Sequence, residues 1–258
     1  MSLLLEPTQP PLHKAKTYLP ESDGNPMAET DVHRKHMIYV LDALEERFRP
    51  EPLVYVTGNI FLYYEDEFGK LQKVAPDIFV VKDVPKHERR IYHLAEEGKG
   101  PDFVLELISR ETKMEDLGTK RVLYASLGVQ EYFIFDPLNE ALSQQLRGNR
   151  LQGEDYQPLV GERLHSEVLD LDLFVENRRL RLFDRTTGER LRTYEEAERG
   201  RREAEHGRRS AETKAAEETE ARLFAEAAAN QEAEARRLAE AEVARLKEEL
   251  KKLQGRSS

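Results

Sequence analysis

The chain has 258 residues, a formal net charge of −10 and no cysteine, which excludes disulfides, thiolate chemistry and zinc sites built on cysteine. Its acidity excludes a protein that coats nucleic acid through charge alone. The first residues do not build a signal peptide, and no stretch is apolar for long enough to span a bilayer, so we expect a cytoplasmic protein without membrane contact.

The N-terminal residues 1–30 are rich in proline and polar residues, which predicts an extended arm. Thr30 or Asp31 offers an N-cap to a helix, and Pro50 ends it. The apolar residues between these limits recur at helical spacing: Met37, Val40, Leu41, Leu44 and Phe48.

Continuous apolar runs then predict three buried strands, within residues 74–83, 101–109 and 129–137. A helix is predicted over residues 110–128, between the second and third of these strands. We expect its inward face to carry Leu117, Val122, Leu123 and Leu127. This order predicts an α/β (α+β) domain with a mixed sheet flanked by helices. Hairpin signals follow as far as residue 193, which predicts a β-hairpin extension.

Residues 194–258 consist mainly of Glu, Ala and Arg and contain no proline. Glu and Arg recur four residues apart, which favours a long solvated helix. Val243, Leu246, Leu250 and Leu253 form a short heptad seam, so we expect self-association as a dimer. A partly disordered charged tail is the alternative. The predicted organisation is an arm (1–30), a domain (31–193) and a helical or coiled-coil tail (194–258).

Two carboxylates stand inside predicted buried strands. Asp77 follows Pro76 at the start of one strand, and Glu106 is flanked by apolar residues in the next. A buried charge needs a partner or a metal. With Lys120 on the following helix, these residues are the parts of a metal-dependent nuclease: two acids for a shared cation, and an ammonium that steadies the attacking water or the phosphorane charge. Such spacing is not specific, and a buried ion pair of Glu106 with Lys120 or Arg121 is the structural alternative.

The runs "VAPDIFVV", "PDFVLELIS" and "DLGTKRVLYASLGVQEYFIFDP" together resemble the Uma2 family, also called DUF820, a family of proposed restriction endonucleases in the PD-(D/E)XK nuclease superfamily. The resemblance covers roughly residues 18–190. It implies a restriction-endonuclease-like core and phosphodiester cleavage that depends on Mg²⁺ or Mn²⁺, with Asp77 and Glu106 as the metal ligands. The superfamily pattern expects a lysine two residues after the acid, where this chain has Ile108. The resemblance implies that the following helix supplies it, as Lys120.

Secondary candidates lie outside this triplet. Glu29 and His33 are possible additional site residues, with helix capping and dipole pairing as the alternative. Lys86, Arg89 and Arg90 belong to a basic cluster in an acidic chain, which indicates a phosphate-contacting patch. An ordinary solvated loop is the alternative for that cluster.

The sequence therefore predicts a Mg²⁺-dependent endonuclease that acts on DNA, with Asp77, Glu106 and Lys120 as its catalytic residues. A catalytically inactive protein of the same fold, which binds partners through its C-terminal helix, is the alternative from another functional class. A nuclease that acts on RNA or on modified DNA is the third possibility.

Overall fold

The structure is a computed structural model that describes residues 19–20, 30–110 and 112–254. Most of the predicted arm, including Glu29, lies outside the described residues. The chain divides into two compact units, Met1–Tyr194 and Glu195–Ser258. The boundaries predicted from the sequence separate parts that fold independently, and a division into compact units does not test independent folding. These boundaries therefore stay predictions.

Helices and strands are numbered in chain order. The helices are α1 (Asp31–Arg47), α2 (Leu94–Glu97), α3 (Lys120–Ser126) and α4 (Tyr194–Gln254), and a π-helical turn, Glu115–Thr119, precedes α3. The strands are β1 (Val54–Thr57), β2 (Leu62–Glu65), β3 (Leu71–Val74), β4 (Ile78–Lys82), β5 (Tyr92–His93), β6 (Phe103–Leu107), β7 (Glu131–Phe135), β8 (Leu146–Gln152), β9 (Asp155–Pro158), β10 (Arg163–Ser166), β11 (Leu171–Glu176), β12 (Arg179–Asp184) and β13 (Glu189–Arg190).

A six-stranded sheet forms the centre of the first unit, in the order β1-β4-β6-β7-β8-β9. Strands β6 and β7 are parallel, and the other neighbouring pairs are antiparallel. The middle strands β4, β6 and β7 are buried along almost their whole length, because both faces of the sheet are covered. This mixed sheet, the hairpins that follow it and the long C-terminal helix confirm the predicted α+β class.

The two faces of β6 bury different residues. Phe103, Leu105 and Leu107 belong to an apolar cluster that also contains residues of α1 and of the second sheet, β10-β11-β12-β13. Val104 and Ile108 belong to the cluster on the opposite face. Because side chains alternate along a strand, Glu106 shares this second face.

Helix α1 covers the first of these faces. Thr30 is its N-cap and accepts a hydrogen bond from the His33 amide. Val40 and Leu44 are fully buried, and Met37 and Leu41 pack against them at the rim, as the spacing predicts. The buried stripe fixes the rotation of α1, and this rotation in turn sets the direction of the polar residues in its first turn.

The helix predicted over residues 110–128 differs in the structure. A π-helical turn, Glu115–Thr119, interrupts it, and regular α-helix follows over Lys120–Ser126. The wider turn holds one extra residue, which rotates the following side chains by about 100° around the axis. Val122, predicted to face inward, is therefore 66% exposed, and Tyr124 is fully buried instead.

The described part of the second unit is helix α4 from Glu195 onward, and nearly all of its described side chains are exposed to solvent. Several of them are large and apolar: Leu223, Phe224, Leu238, Val243 and Leu246. Among the described residues, no helix combines the length and the apolar character that crossing a membrane requires.

The backbone around Asp77 is held by the turn that follows β1. Asn59 adopts a positive φ of 55°, and its amide donates a hydrogen bond to the carbonyl of Pro76 at 2.9 Å. The backbone of Gly58 touches that of Asp77 so closely that a Cβ at residue 58 would lie 2.0 Å from the Asp77 carbonyl oxygen. Glycine at this position therefore allows the turn to support the start of β4.

We expect Gly58→Ala to lower the free energy of unfolding by about 1–3 kcal/mol, because backbone must move to admit the methyl group. Urea denaturation followed by circular dichroism measures this change. Gly118→Ala is the matched control, since a Cβ at residue 118 meets nothing within 4 Å. Equal stability of the two variants would show that the Gly58 contact is not tight in solution.

Candidate active site

The three residues predicted to carry the chemistry lie together on one side of the main sheet. Asp77 stands directly before β4, Glu106 lies within β6, and Lys120 is the first residue of α3. Strands β4 and β6 are antiparallel neighbours, with Ile78 paired to Leu105, so Asp77 and Glu106 are opposite each other. The Lys120 Nζ lies 3.1 Å from Glu106 Oε1.

Each of the two acids is tied to the backbone of the other strand. The amide of Leu107 donates a hydrogen bond to Asp77 Oδ2 at 2.7 Å. In return, the amide of Asp77 donates to Glu106 Oε2, over a longer distance of 3.4 Å. This reciprocal arrangement, which we call the carboxylate cross-link, fixes both side chains relative to the sheet.

His33 approaches the same pair of acids from the first turn of α1. Its Nε2 lies 3.4 Å from Asp77 Oδ1, and its side chain is largely buried. The structure thus places this secondary candidate beside Asp77, although its backbone amide is also capped by Thr30. Glu29, the companion candidate, lies outside the described residues.

Sequence reasoning did not identify Asp116 as part of this site. Its Oδ1 lies 2.9 Å from Lys120 Nζ, so that the ammonium sits between the carboxylates of Asp116 and Glu106. The side chains of both acids are 2% exposed. The four-residue spacing in "DLGTK" is the signal that could have identified Asp116.

Tyr124 is another residue of this site that sequence reasoning did not identify. It is a fully buried core residue, but its hydroxyl also donates a hydrogen bond to Glu106 Oε1 at 2.6 Å. Asp116, Lys120 and Tyr124 follow one another at intervals of four residues, so they share one face of the helical segment. Lys120 and Tyr124 both contact Oε1 of Glu106, which orients the carboxylate.

Burial and charge set the protonation of the site. Full burial raises the pKa of Glu106 to about 8, against the opposing attraction of the Lys120 ammonium. Burial also acts to raise the pKa of Asp77, but the hydrogen bond and charge of His33 outweigh it, and this pKa lies below its ordinary value. Burial acts to lower the pKa of Lys120, yet the carboxylates of Glu106 and Asp116 raise it overall. At neutral pH, Asp77 is ionised, Lys120 is protonated and Glu106 largely keeps its proton, which a divalent cation would displace on binding.

The donor set of the site is compatible with a hard divalent cation. Among the described residues, no group of three or more His, Asp or Glu side chains is arranged to hold a metal ion. Mg²⁺, however, is commonly held by one or two carboxylates, with waters and phosphate oxygens as its other ligands. Asp77 Oδ1 and Glu106 Oε2 are engaged by the described residues only in contacts of 3.4 Å, so each acid has one oxygen suited to this task.

The predicted phosphate-contacting patch has a different arrangement. The guanidinium of Arg89 donates to both carboxylate oxygens of Glu97, at 2.6 and 2.9 Å, and lies over the Tyr55 ring. Its side chain is only 4% exposed, so the geometry speaks against a phosphate contact through Arg89. Lys86 is exposed and donates to the carbonyl of Phe48, and Arg90 is exposed. The phosphate role of these two residues stays a prediction.

We expect the variant Glu106→Gln to gain stability relative to the wild-type protein as the pH rises from about 5 to about 8 in a buffer with a chelator. The folded protein holds this proton up to a pKa of about 8, whereas the ordinary value is 4.5. The stability that the wild type draws from this protonated carboxyl is therefore complete below the unfolded pKa and is lost as the pH rises through the folded pKa.

The difference in free energy of unfolding between the two proteins should change by up to about 1.4 kcal/mol per pH unit, measured by urea denaturation. Glu96→Gln, at an exposed position, is the control. A difference that stays constant over this range would mean that Glu106 is ionised throughout, as one half of a permanent ion pair.

A match to a protein-family model confirms the resemblance seen in the sequence. The model of the Uma2 family, described as "Putative restriction endonuclease", matches residues 17–197. A solved structure from Anabaena variabilis ATCC 29413, described as "a putative nuclease belonging to DUF820", is similar at 16% sequence identity and a TM-score of 0.43, over 58% of this chain and 86% of that chain. A search of curated proteins finds no match.

The family match covers more than half of the chain, and it contains α1, the main sheet, α3 and the second sheet. Almost all of helix α4 lies beyond it. Every residue of the candidate site that the structure describes falls inside the match. The chain belongs to the Uma2 family.

Proposed function

We propose that this protein is an endonuclease that hydrolyses DNA phosphodiester bonds with the help of Mg²⁺ or Mn²⁺. The observation that supports the proposal is the convergence of Asp77, Glu106 and Lys120 on one side of the sheet, within a chain of the Uma2 family. The family description names a restriction endonuclease, and DNA is the corresponding substrate class.

Asp77 and Glu106 would hold the cation through their carboxylate oxygens. When bound, such a cation polarises a phosphodiester oxygen and lowers the pKa of a coordinated water. The carboxylate cross-link keeps both acids in place without a cation, so the site is preorganised. Tyr124 contributes to this by holding Oε1 of Glu106, which leaves Oε2 directed at Asp77.

Lys120 would stabilise negative charge on the phosphate during the reaction. Its ammonium is protonated and largely enclosed, so its field is weakly screened by water. The strand position two residues after Glu106, where the superfamily pattern has its lysine, carries Ile108. Lys120 would supply the missing ammonium from the helix. His33, next to Asp77, is placed to hold or accept a proton at the edge of the same site.

The structural alternative is a sealed ion-pair network in an inactive protein. In that case the charged groups would satisfy one another without access to solvent. The side chains of Asp77 and Lys120 keep 17% and 15% of their surface exposed, so neither group is sealed from solvent. This residual access favours a working site over a sealed network.

For metal binding, we expect isothermal titration with Mn²⁺ to give one site per chain in the wild-type protein. Asp77→Asn should weaken binding by about 10- to 100-fold or more, because it removes one of the two carboxylate ligands. Asp83→Asn, at an exposed aspartate that follows β4, is the control and should bind normally. Equal binding by the two variants would remove Asp77 from the site.

For catalysis, we expect the wild-type protein to nick supercoiled plasmid in the presence of Mg²⁺, and Lys120→Met to reduce the rate by about 10²–10³-fold. Methionine keeps the length of the side chain without its charge. Lys113→Met, just before the π-helical turn, is the control. Cleavage of RNA but not of plasmid would reassign the substrate, and full activity of Lys120→Met would exclude the role given to Lys120.

We further propose that α4 joins two copies of the chain. Val243 and Leu246, at a and d positions of the heptad seam, are exposed in the single chain. In a parallel pair, Glu242 of one copy and Lys247 of the other occupy the g and e positions that form interhelical salt bridges. Valine at a and leucine at d favour two strands.

For assembly, we expect sedimentation equilibrium to show a dimer for the wild-type protein and a monomer for Leu246→Glu, which puts a charge into the seam. Leu223→Glu is the matched control, because Leu223 is also exposed on α4 but lies outside the a and d positions. The affinity for Mn²⁺ should be the same in all three proteins. A wild-type monomer would exclude this role for α4.

A further inference from the structure

Asp116 is a buried acid that the proposed reaction has not used. Its carboxylate contacts Lys120 at 2.9 Å and is 2% exposed. Removing a charge from water is costly, and the ammonium of Lys120 compensates this cost. Helix α3 and its π-helical turn thus bring a third carboxylate to the edge of the site, one that faces the lysine and not the pair of Asp77 and Glu106.

We propose that Asp116 is a positioning residue that keeps the ammonium of Lys120 in the site when a divalent cation occupies the carboxylates of Asp77 and Glu106. This inference rests on the proposed function, since it concerns the cation-bound form. It assigns to Asp116 no contact with substrate, and its effect on the reaction passes through Lys120.

The need for such a residue follows from the contacts of Lys120. In the structure, the ammonium is shared between Glu106 Oε1 at 3.1 Å and Asp116 Oδ1 at 2.9 Å. A dication held by Asp77 and Glu106 would occupy the oxygens of both acids and would repel the ammonium. Lys120 has a long flexible side chain that is already partly exposed. Without the contact to Asp116, its ammonium would turn toward solvent.

Asp116 is itself held by several hydrogen bonds of its backbone. The hydroxyl of buried Tyr132 donates to the backbone carbonyl of Asp116 at 2.8 Å, and the Asp116 amide donates to the carbonyl of Thr112 at 3.0 Å. Asp116 also lies within the π-helical turn, a type of distortion that is frequent at functional sites. Its carboxylate therefore cannot follow Lys120 outward, and it restrains the ammonium from a fixed position.

A purely structural ion pair would behave differently from a positioning pair. If Asp116 served only stability, its loss would lower the free energy of unfolding without changing where Lys120 lies after a cation binds. If Asp116 positions Lys120, its loss should have little effect on the affinity for the cation and a large effect on the location of the ammonium. The two roles can therefore be separated with Mn²⁺ alone, before any substrate is added.

The experiment measures the rate at which an amine-reactive reagent labels Lys120 in the full-length protein, with and without saturating Mn²⁺, by mass spectrometry. In the wild-type protein, Mn²⁺ should leave the labelling of Lys120 slow. In Asp116→Asn, Mn²⁺ should speed it several-fold. Asp155→Asn is the matched control, because Asp155 pairs with Arg121, the next residue of α3, outside the site; it should behave as the wild type.

Plasmid cleavage provides the second measurement. Asp116→Asn should lower kcat by about 10²-fold with little change in KM, since a charge aimed at the transition state is misplaced. In the background of Lys120→Met, the same substitution should have no further effect on kcat, because the lysine through which it acts is gone. Asp116→Asn alone leaves the Lys120 ammonium with one carboxylate partner fewer, whereas the double variant lacks both charges. The double variant can therefore still be compared with Lys120→Met if Asp116→Asn alone folds poorly.

The outcomes separate this inference from the proposed function. Slow labelling of Lys120 in Asp116→Asn with Mn²⁺ bound would overturn the positioning role and leave the nuclease proposal intact. Fast labelling of Lys120 in the wild-type protein once Mn²⁺ binds would also overturn it, without reference to any variant. Absence of Mn²⁺ binding by the wild-type protein would overturn the proposed function and this inference together.

Discussion

The site depends on one constraint, the carboxylate cross-link between Asp77 and Glu106. Two acids at the ends of adjacent strands repel each other and lose hydration, so their approach must be offset by fixed partners. Here the backbone amides of Leu107 and Asp77 supply those partners, and the geometry of the antiparallel pair β4–β6 sets their positions. Gly58, the Asn59 turn and the burial of β6 serve this constraint, because each fixes the backbone at which the acids cross.

Much of this arrangement could be predicted from the sequence, for physical reasons. Alternation along "FVLELI" places Glu106 on one face among apolar residues, and the continuous apolar runs indicate a sheet covered on both sides. Asp77 stands at the start of one apolar strand and Glu106 within the next, and a buried carboxylate needs a partner or a metal, so the sequence indicates both as site residues. The role of Lys120 was harder to predict from the residues alone, because spacing does not show toward which side of the helix the lysine points. There the family resemblance supplied the answer.

The features that the sequence did not predict depend on the backbone geometry and on contacts between distant residues, which a sequence pattern does not contain. The π-helical turn changes the phase of the helix after residue 119, so Val122 was expected inward and the contact of Tyr124 with Glu106 was not foreseen. Arg89 looked available for phosphate because its neighbours in sequence are basic. In the structure, the Arg89 guanidinium binds the carboxylate of Glu97, which lies eight residues away across a loop. A charge pattern does not show such a partnership.

The π-helical turn also has a consequence for the stability of its own segment. A chain one residue shorter between Glu115 and Thr119 would wind as ordinary α-helix with a regular hydrogen-bond ladder, and its local backbone would be easier to form. The same deletion would rotate Lys120 and Tyr124 away from Glu106. The extra residue therefore lowers the local stability of the helix and, in exchange, keeps Lys120 and Tyr124 within contact of Glu106.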